Sequence, residues 1–125
     1  MLLILKNQYH KAVTAWIILM IFLVASIITI GGFTRLTDSG LSITQWELFK
    51  GVFPPLNTSE WQEYFNLYKK TDQFKFLFPS MSLQEFKYIF FWEYIHRLLG
   101  RIIGLTFIIP FIYFIYKKKL SKYLF

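Results

Sequence analysis

Residues 12–34 read AVTAWIILMIFLVASIITIGGFT and carry no charge. This run of 23 residues lies between Lys11 and Arg35. A helix of about 20 apolar residues is long enough to cross the hydrocarbon core of a bilayer. The apolar part of a cleaved signal peptide is shorter, about 7 to 15 residues, and is followed by a small-x-small cleavage site, which is not seen here. The run therefore predicts a transmembrane helix over residues 12–34, preceded by a tail of residues 1–11.

A second apolar stretch covers residues 88–116 and is interrupted by three charged residues, which are Glu93, Arg97 and Arg101. Just before it, Ser82 and Glu85 have the Ser-x-x-Glu spacing of a capping box, in which each side chain binds the other residue's backbone N–H. This spacing predicts a helix that begins near Leu83, outside the membrane. The stretch predicts a second transmembrane helix, followed by a basic tail of residues 117–125.

The composition of the whole chain agrees with a membrane protein. Its 125 residues are 55% hydrophobic, with a mean hydropathy of +0.42, which is too apolar for a water-soluble domain. The absence of cysteine excludes disulfides, thiolate catalysis and cysteine-ligated metal clusters. The net charge of +7 could suggest nucleic acid as a partner, but several basic residues flank apolar runs instead of forming a basic and aromatic patch. No nucleic acid partner is expected.

The segment of residues 35–87 joins the two predicted spans. It contains six Lys and Arg residues, and the two tails together also contain six. Because the basic residues of the short tails crowd against the spans, both termini are predicted to be cytoplasmic and the segment is predicted to be an extracytoplasmic loop. Residues 59–70 carry four aromatic residues at helical spacing, which predicts an amphipathic helix. This helix could lie in the membrane interface or pack on the ends of the spans.

Polar residues form a stripe on one face of the second span. At about 100° per residue the stripe contains six residues, which are Glu93, His96, Arg97, Gly100, Arg101 and Gly104. Ionisable residues at membrane depth are costly, so the stripe indicates a functional site. A neutral imidazole can bind haem iron, and a guanidinium can hold a carboxylate such as a haem propionate. The two glycines would permit close approach of another helix or of a flat ligand.

The stripe also has less specific explanations. Arg97 and Arg101 could extend their charged ends to the membrane interface, and Glu93 could simply neutralise Arg97 one turn away. The Glu-x-x-His spacing of Glu93 and His96 also occurs in di-iron bundles, which need a second copy of it and two further glutamates. This chain contains one copy.

Four motifs in order carry a family resemblance; they are GGFTRLTDSGLS at 31–42, GVFPP at 51–55, MSLQEFK at 81–87, and EYIHR at 93–97 with Gly100 and Arg101. With them the chain resembles the N-terminal part of heme A synthase, a cytochrome oxidase assembly family, in its alphaproteobacterial and mitochondrial branch. The resemblance implies an eight-helix protein of two similar four-helix halves in the bacterial inner (plasma) membrane or the mitochondrial inner membrane. It also implies an oxidoreductase that converts a ring methyl of heme O, the substrate, to the formyl group of heme A.

The resemblance assigns roles to four residues. Each half of the family's fold carries a pair of haem-facing histidines, and a glutamate one turn before the first is implicated in catalysis. His96 would accordingly be an axial ligand of haem b iron, the metal of the site, and Glu93 would be the catalytic residue. Arg35 and Arg97 match arginines near the haem pocket and would bind propionates.

The expected fold is an all-α membrane protein with two transmembrane helices and a long extracytoplasmic loop, equivalent to the first quarter of a heme A synthase. A second haem-facing histidine would lie on a fourth helix, and His10 cannot replace it because it precedes the first span. A truncated or split enzyme is therefore expected. Its partners would be membrane lipid, haem, heme O synthase or oxidase assembly factors, and either the missing helices or a second copy. The alternatives are a small non-catalytic membrane protein that binds haem or assists oxidase assembly, or an inactive remnant.

Overall fold

A computed structural model describes the backbone of residues 2–117 and the side chains of residues 10–117. Within this part the chain is helical and contains no strand; the helices are α1 (Leu2–Leu36), a 3-10 helix (Lys50–Val52), α2 (Thr58–Tyr68), α3 (Asp72–Leu77) and α4 (Leu83–Tyr116). The helices divide into two compact units, one of Ile28–Leu98 and the other of the remaining parts of α1 and α4. The predicted basic tail lies outside the described residues beyond Lys117.

Both α1 and α4 are long and apolar enough to cross a membrane, over His10–Leu36 and Leu83–Tyr116. This arrangement confirms the predicted all-α fold with two long helices joined by a loop. Helix α1 begins ten residues before the predicted span of residues 12–34 and ends two residues after it. The difference arises because charges bound an apolar run without ending a helix, since lysine and arginine are good helix formers.

The beginning of α4 follows the predicted capping box. The Glu85 carboxylate accepts hydrogen bonds from the Ser82 backbone N–H at 2.7 Å and from its hydroxyl at 2.8 Å. The Glu85 N–H in turn donates to the Ser82 hydroxyl oxygen at 3.3 Å. These contacts satisfy backbone donors that the first turn of a helix leaves without partners. The helix begins at Leu83, as predicted.

In the unit formed by the outer parts of α1 and α4, a tryptophan compensates for a proline. Pro110 lies inside α4 and has no N–H, so the carbonyl of Thr106, four residues earlier, has no helical donor. The Trp16 indole N–H donates to this Thr106 carbonyl at 2.9 Å. The Trp16 ring also stacks on Phe107, with ring centroids 5.7 Å apart. The polar group freed by the proline is therefore satisfied by the other long helix.

In the other unit, α2 packs its aromatic face on α4. The core of this packing is a group of buried residues, namely Phe65, Tyr68, Phe86, Ile89 and Phe90. The sequence left two positions open for the amphipathic helix, the membrane interface or the ends of the spans. The structure shows it packed on α4. The helix covers Thr58–Tyr68 and so ends two residues before the predicted boundary at residue 70. Its first turn is capped by Asn57, whose side chain accepts a hydrogen bond from the Glu60 N–H.

The short helix α3 was not predicted, because six residues with no apolar periodicity carry no helical signal. It places Gln73 between two parts of the loop. The Tyr68 hydroxyl donates to the Gln73 side-chain oxygen at 3.1 Å, and the Gln73 amide donates to the Asp38 carbonyl at 2.9 Å. Burial, and after it the Asp38 carboxylate, raise the pKa of Tyr68, so its hydroxyl keeps the proton that it donates.

Candidate functional site

A tight turn after α1 brings the loop onto α4. The Ser39 N–H donates to the Thr34 carbonyl at 2.9 Å, and Asp38 has a φ of 52°. Such a left-handed conformation is uncommon outside glycine, but Asp and Asn adopt it more readily than most residues. The turn directs the following segment back, so that Ser42 and Ile43 lie against α4 at Glu93.

Glu93 is the centre of this contact and is only 3% exposed. One carboxylate oxygen accepts hydrogen bonds from the Ser42 hydroxyl and from the Ile43 backbone N–H, both at 2.7 Å. The other oxygen accepts from the Arg97 guanidinium, from Nε at 2.9 Å and from Nη2 at 2.5 Å. Both oxygens are thus held, one by the loop and one by an arginine of the same helix.

Arg97 joins the same two elements. Its Nη2 donates to the Ile43 carbonyl at 3.1 Å as well as to Glu93. The local Glu93–Arg97 ion pair, which the sequence offered as one explanation of the stripe, is therefore present. It belongs to a larger network, because the same arginine and the same carboxylate both bind the backbone of Ile43.

The four residues predicted for the site border one open cleft of about 480 Å³, a size typical of small-molecule sites. Arg35 comes from the last turn of α1, whereas Glu93, His96 and Arg97 come from α4. The remaining lining comes from the end of α1, the turn after it and α3, namely Gly31, Thr34, Asp38, Gly40, Leu41 and Gln73. The other residues of the predicted stripe, Gly100, Arg101 and Gly104, belong to the other unit.

The position of His96 depends on a glycine in α1. A Cβ atom added at Gly31 would lie 3.2 Å from Nε2 of His96 and 3.6 Å from its Cδ2. The first of these distances is closer than side chains normally tolerate. The imidazole can therefore rest against α1 because residue 31 has no side chain.

The residues around the cleft fit a haem group. A single imidazole is a normal axial ligand of haem iron, and two guanidinium groups can hold its propionates. Among the residues whose side chains are described, no group of three or more His, Asp or Glu residues could hold a metal ion by itself.

Sequence reasoning did not assign roles to Ser42, Ile43, Gly31 or Gln73. Ser42 and Gly31 lie in the first quoted motif, but a motif does not show which residue contacts which. Ser42 and Glu93 are 51 positions apart, so helical periodicity cannot connect them. The available signal was Glu93 itself, because a carboxylate on the buried face of a helix needs hydrogen-bond donors that its own helix does not fully supply. Such donors had to come from another segment.

Two neighbouring glycines provide a test of the cleft. Gly31→Ala should weaken haem binding, because the new methyl group displaces the His96 imidazole by a few tenths of an ångström. Gly32→Ala is the matched control, since a Cβ there meets nothing within 4 Å. Both substitutions favour the helix by about 1 kcal/mol, so a difference reflects the cleft. Haem titration of the chain joined to the missing helices, followed by absorption spectroscopy, measures the effect, and equal affinities for the two variants would contradict this account of His96.

The comparisons with known proteins point to one family. The sequence model of the family described as cytochrome oxidase assembly protein matches residues 14–125. A heme A synthase of Pelagibacter ubique is 49% identical over 119 residues, which cover 94% of this chain and 35% of that protein. A heme A synthase of Nitrosospira multiformis is 50% identical over 117 residues, covering 94% of this chain and 33% of that protein.

A further relative, named heme A synthase-mitochondrial ferredoxin fusion protein, comes from Schizosaccharomyces pombe and is 50% identical over 114 residues, covering 91% of this chain and 18% of that protein. No solved structure matches the chain. The chain spans about a third of the length of the bacterial relatives that it matches. With residues 14–125 matched, the chain belongs to the cytochrome oxidase assembly protein family and corresponds to an N-terminal part of heme A synthase.

Proposed function

We propose that this chain supplies the first haem-binding region of a heme A synthase, an oxidoreductase that converts a methyl group of heme O to the formyl group of heme A. The observation that carries the proposal is the cleft at which His96, Arg35, Arg97 and Glu93 meet. The relatives named heme A synthase support it, since they match nearly the whole chain. Because these relatives are about three times longer, the activity is proposed for the longer assembly.

Three residues would hold the cofactor, haem b. His96 would bind the iron, and Arg35 and Arg97 would hold the propionates by charge-assisted hydrogen bonds. Arg97 can do so while remaining in place, because the contacts to Glu93 and Ile43 use its Nε and Nη2. The cofactor, once bound, supplies iron that can exchange electrons.

The geometry of Glu93 favours one of its two candidate roles. A glutamate near the reacting methyl could accept a proton or stabilise developing positive charge. In this structure both of its oxygens already accept hydrogen bonds, from Ser42, Ile43 and Arg97. A carboxylate held in this way is suited to act as a fixed negative charge, because it needs no reorganisation as the reaction proceeds.

The test of this function joins the chain to the remaining helices of a homologous heme A synthase. Cells that lack their own enzyme should regain heme A, detected by extraction and chromatography of the haem pigments. His96→Ala in the same fusion should lose haem binding, and His10→Ala is the control on the other histidine. Normal heme A from the His96→Ala fusion would contradict the assignment of this residue as an axial ligand.

The chain without those helices should bind haem poorly, because His96 supplies only one of the two axial ligands of the iron. The absorption spectrum of the purified 125-residue chain is expected to show little low-spin haem with two histidine ligands. A strong low-spin spectrum that disappears in His96→Ala would instead indicate a site shared by two copies. That result would support the alternative of a small haem-binding membrane protein.

The proposed orientation places both termini in the cytoplasm of a bacterium, with the loop outside the inner membrane. The chain has no cysteine, so single cysteines can be introduced without a background signal. A membrane-impermeant thiol reagent on intact cells should label Ser59→Cys in the loop and spare Ser121→Cys in the tail. The opposite labelling pattern would overturn the orientation.

A further inference from the structure

The loop carries a strongly apolar surface that its own core does not use. Between residues 46 and 56, which we name the apolar arm, four large side chains are mostly exposed: Trp46 72%, Phe49 84%, Phe53 73% and Leu56 79%. The rest of the arm contains the 3-10 helix Lys50–Val52 and the buried Pro55. Exposed apolar patches of this kind usually mark an interaction surface.

Large apolar side chains are also exposed in α3, at Phe76 and Leu77, but α2 differs. The outer face of α2 is polar, with exposed side chains that include Gln62, Glu63 and Asn66. The aromatic residues of α2 are turned inward onto Phe86 and Phe90. One surface of the loop is therefore suited to water, whereas the apolar arm is not.

A hydrogen bond from Tyr94 fixes the position of the apolar arm along the axis of α4. The Tyr94 hydroxyl donates to the Val52 carbonyl at 2.6 Å. Two residues away, Trp92 stacks on Phe33 of α1, with ring centroids 5.1 Å apart. Phe33 is the penultimate residue of the uncharged run that ends before Arg35. The arm is thus held at the level where the apolar part of α1 gives way to charged residues.

That level corresponds to the boundary between hydrocarbon and headgroups, where tryptophan and other amphipathic side chains are enriched. The chemistry of the arm agrees with this boundary. Its two charges, Glu47 and Lys50, lie 3.7 Å apart and neutralise each other. No charge of the arm is therefore left to oppose contact with lipid that carries no net charge.

We infer that the apolar arm is a lipid-contacting segment, inserted in the membrane interface on the side of the loop by Trp46, Phe49, Phe53 and Leu56. Two hydrogen bonds hold the arm to the helices: the Leu56 N–H donates to the Glu60 carboxylate of α2 at 2.8 Å, and the Tyr94 hydroxyl of α4 donates to the Val52 carbonyl. The sequence pattern had offered this interfacial position to residues 59–70, which instead form the core of the loop. The inference requires that the chain spans a membrane and is independent of the haem chemistry.

Spin labels on single cysteines test the inference, because the chain has no cysteine of its own. The variants are Phe49→Cys and Phe53→Cys, with Glu63→Cys on the polar face of α2 as the matched control. All three positions are exposed, so the substitutions remove no core packing. The labelled chain is placed in vesicles of phosphatidylcholine alone, and circular dichroism checks that its helix content equals that of the parent.

The accessibility of each label to molecular oxygen, which concentrates in lipid, is compared with accessibility to a water-soluble nickel chelate. Oxygen should relax the labels at 49 and 53 more strongly than the chelate does, and the order should reverse at 63. Labels at 49 and 53 that respond like the control would show an arm in water and overturn the inference. Protection from both reagents would also overturn it, because the occupant of the surface would then be protein, such as a second copy.

Discussion

The Glu93→Gln variant of the chain, joined to the remaining helices of a homologous enzyme, is expected to retain bound haem and to produce no detectable heme A. Glutamine keeps the shape of the side chain and leaves His96 unchanged, so the iron ligand is retained. It removes the negative charge on which the proposed catalytic role depends. Extraction of the pigments measures the product, and the absorption spectrum measures the bound haem.

The structure adds a reason why this substitution is not structurally silent. Each Glu93 oxygen accepts from donors, so a glutamine amide group must point at Ser42 and Ile43 or at Arg97. In either orientation the glutamine NH2 group faces hydrogen-bond donors of its neighbours. The buried donors on that side then have no acceptor, which costs about 1–3 kcal/mol. Loss of heme A in this variant could therefore result from a weakened contact of the Ser42–Ile43 segment with α4, and not from the lost charge.

Ser42→Ala separates the two explanations. It removes one donor to Glu93 and loosens the same contact, but it keeps the carboxylate. If charge is the contribution of Glu93, Ser42→Ala should retain much of the heme A formation that Glu93→Gln loses. Glu63→Gln, on the exposed face of α2, controls for the loss of an acidic residue in general. Normal heme A from Glu93→Gln would reduce Glu93 to a structural partner of Arg97.

The second large effect is expected at Phe86, the centre of the loop core. Phe86 is fully buried, and its ring lies 5.1 Å from that of Phe65 and 5.2 Å from that of Tyr68. Truncation of a buried phenylalanine to alanine costs about 3–5 kcal/mol. Phe86→Ala should therefore release α2 from α4, whereas Phe91→Ala should have little effect on the loop because Phe91 is 54% exposed.

Limited proteolysis of the chain in vesicles measures this release. Each 1.4 kcal/mol changes the population of an open state tenfold, so the loop of Phe86→Ala should be cleaved at least roughly 100-fold faster than that of the parent. The spans should stay protected by the membrane. Equal cleavage rates for the Phe86 and Phe91 variants would contradict the assignment of the loop core.

The sequence predicted those features that depend on neighbouring residues. Charges flanking apolar runs located the two long helices, and the capping box at Ser82 located the beginning of α4. A rotation of about 100° per residue placed Glu93, His96 and Arg97 on one face. All three border the cleft in the structure, together with Arg35.

Features that depend on distant residues could not be predicted in this way. The contacts of Glu93 with Ser42 and Ile43 join positions 51 and 50 residues apart. An aromatic face suits both the membrane interface and another helix, so the sequence could not choose between them for α2. Tertiary packing decides in favour of α4. Helix α3 escaped prediction because its local signal is limited to the Thr71 cap, whereas its other contacts are made by the Phe74 ring with Tyr68 and by Gln73 with Asp38.

The hydrogen bond from Trp16 to the Thr106 carbonyl has a consequence for biogenesis. A backbone carbonyl without a hydrogen-bond donor in hydrocarbon costs several kcal/mol, so a helix that contains a proline partitions less readily into lipid by itself. Here the donor comes from the helix that is synthesised first, so it precedes Pro110 during translation. Helices α1 and α4 can therefore enter the bilayer together with this carbonyl already hydrogen-bonded, and no later segment is needed to supply a donor.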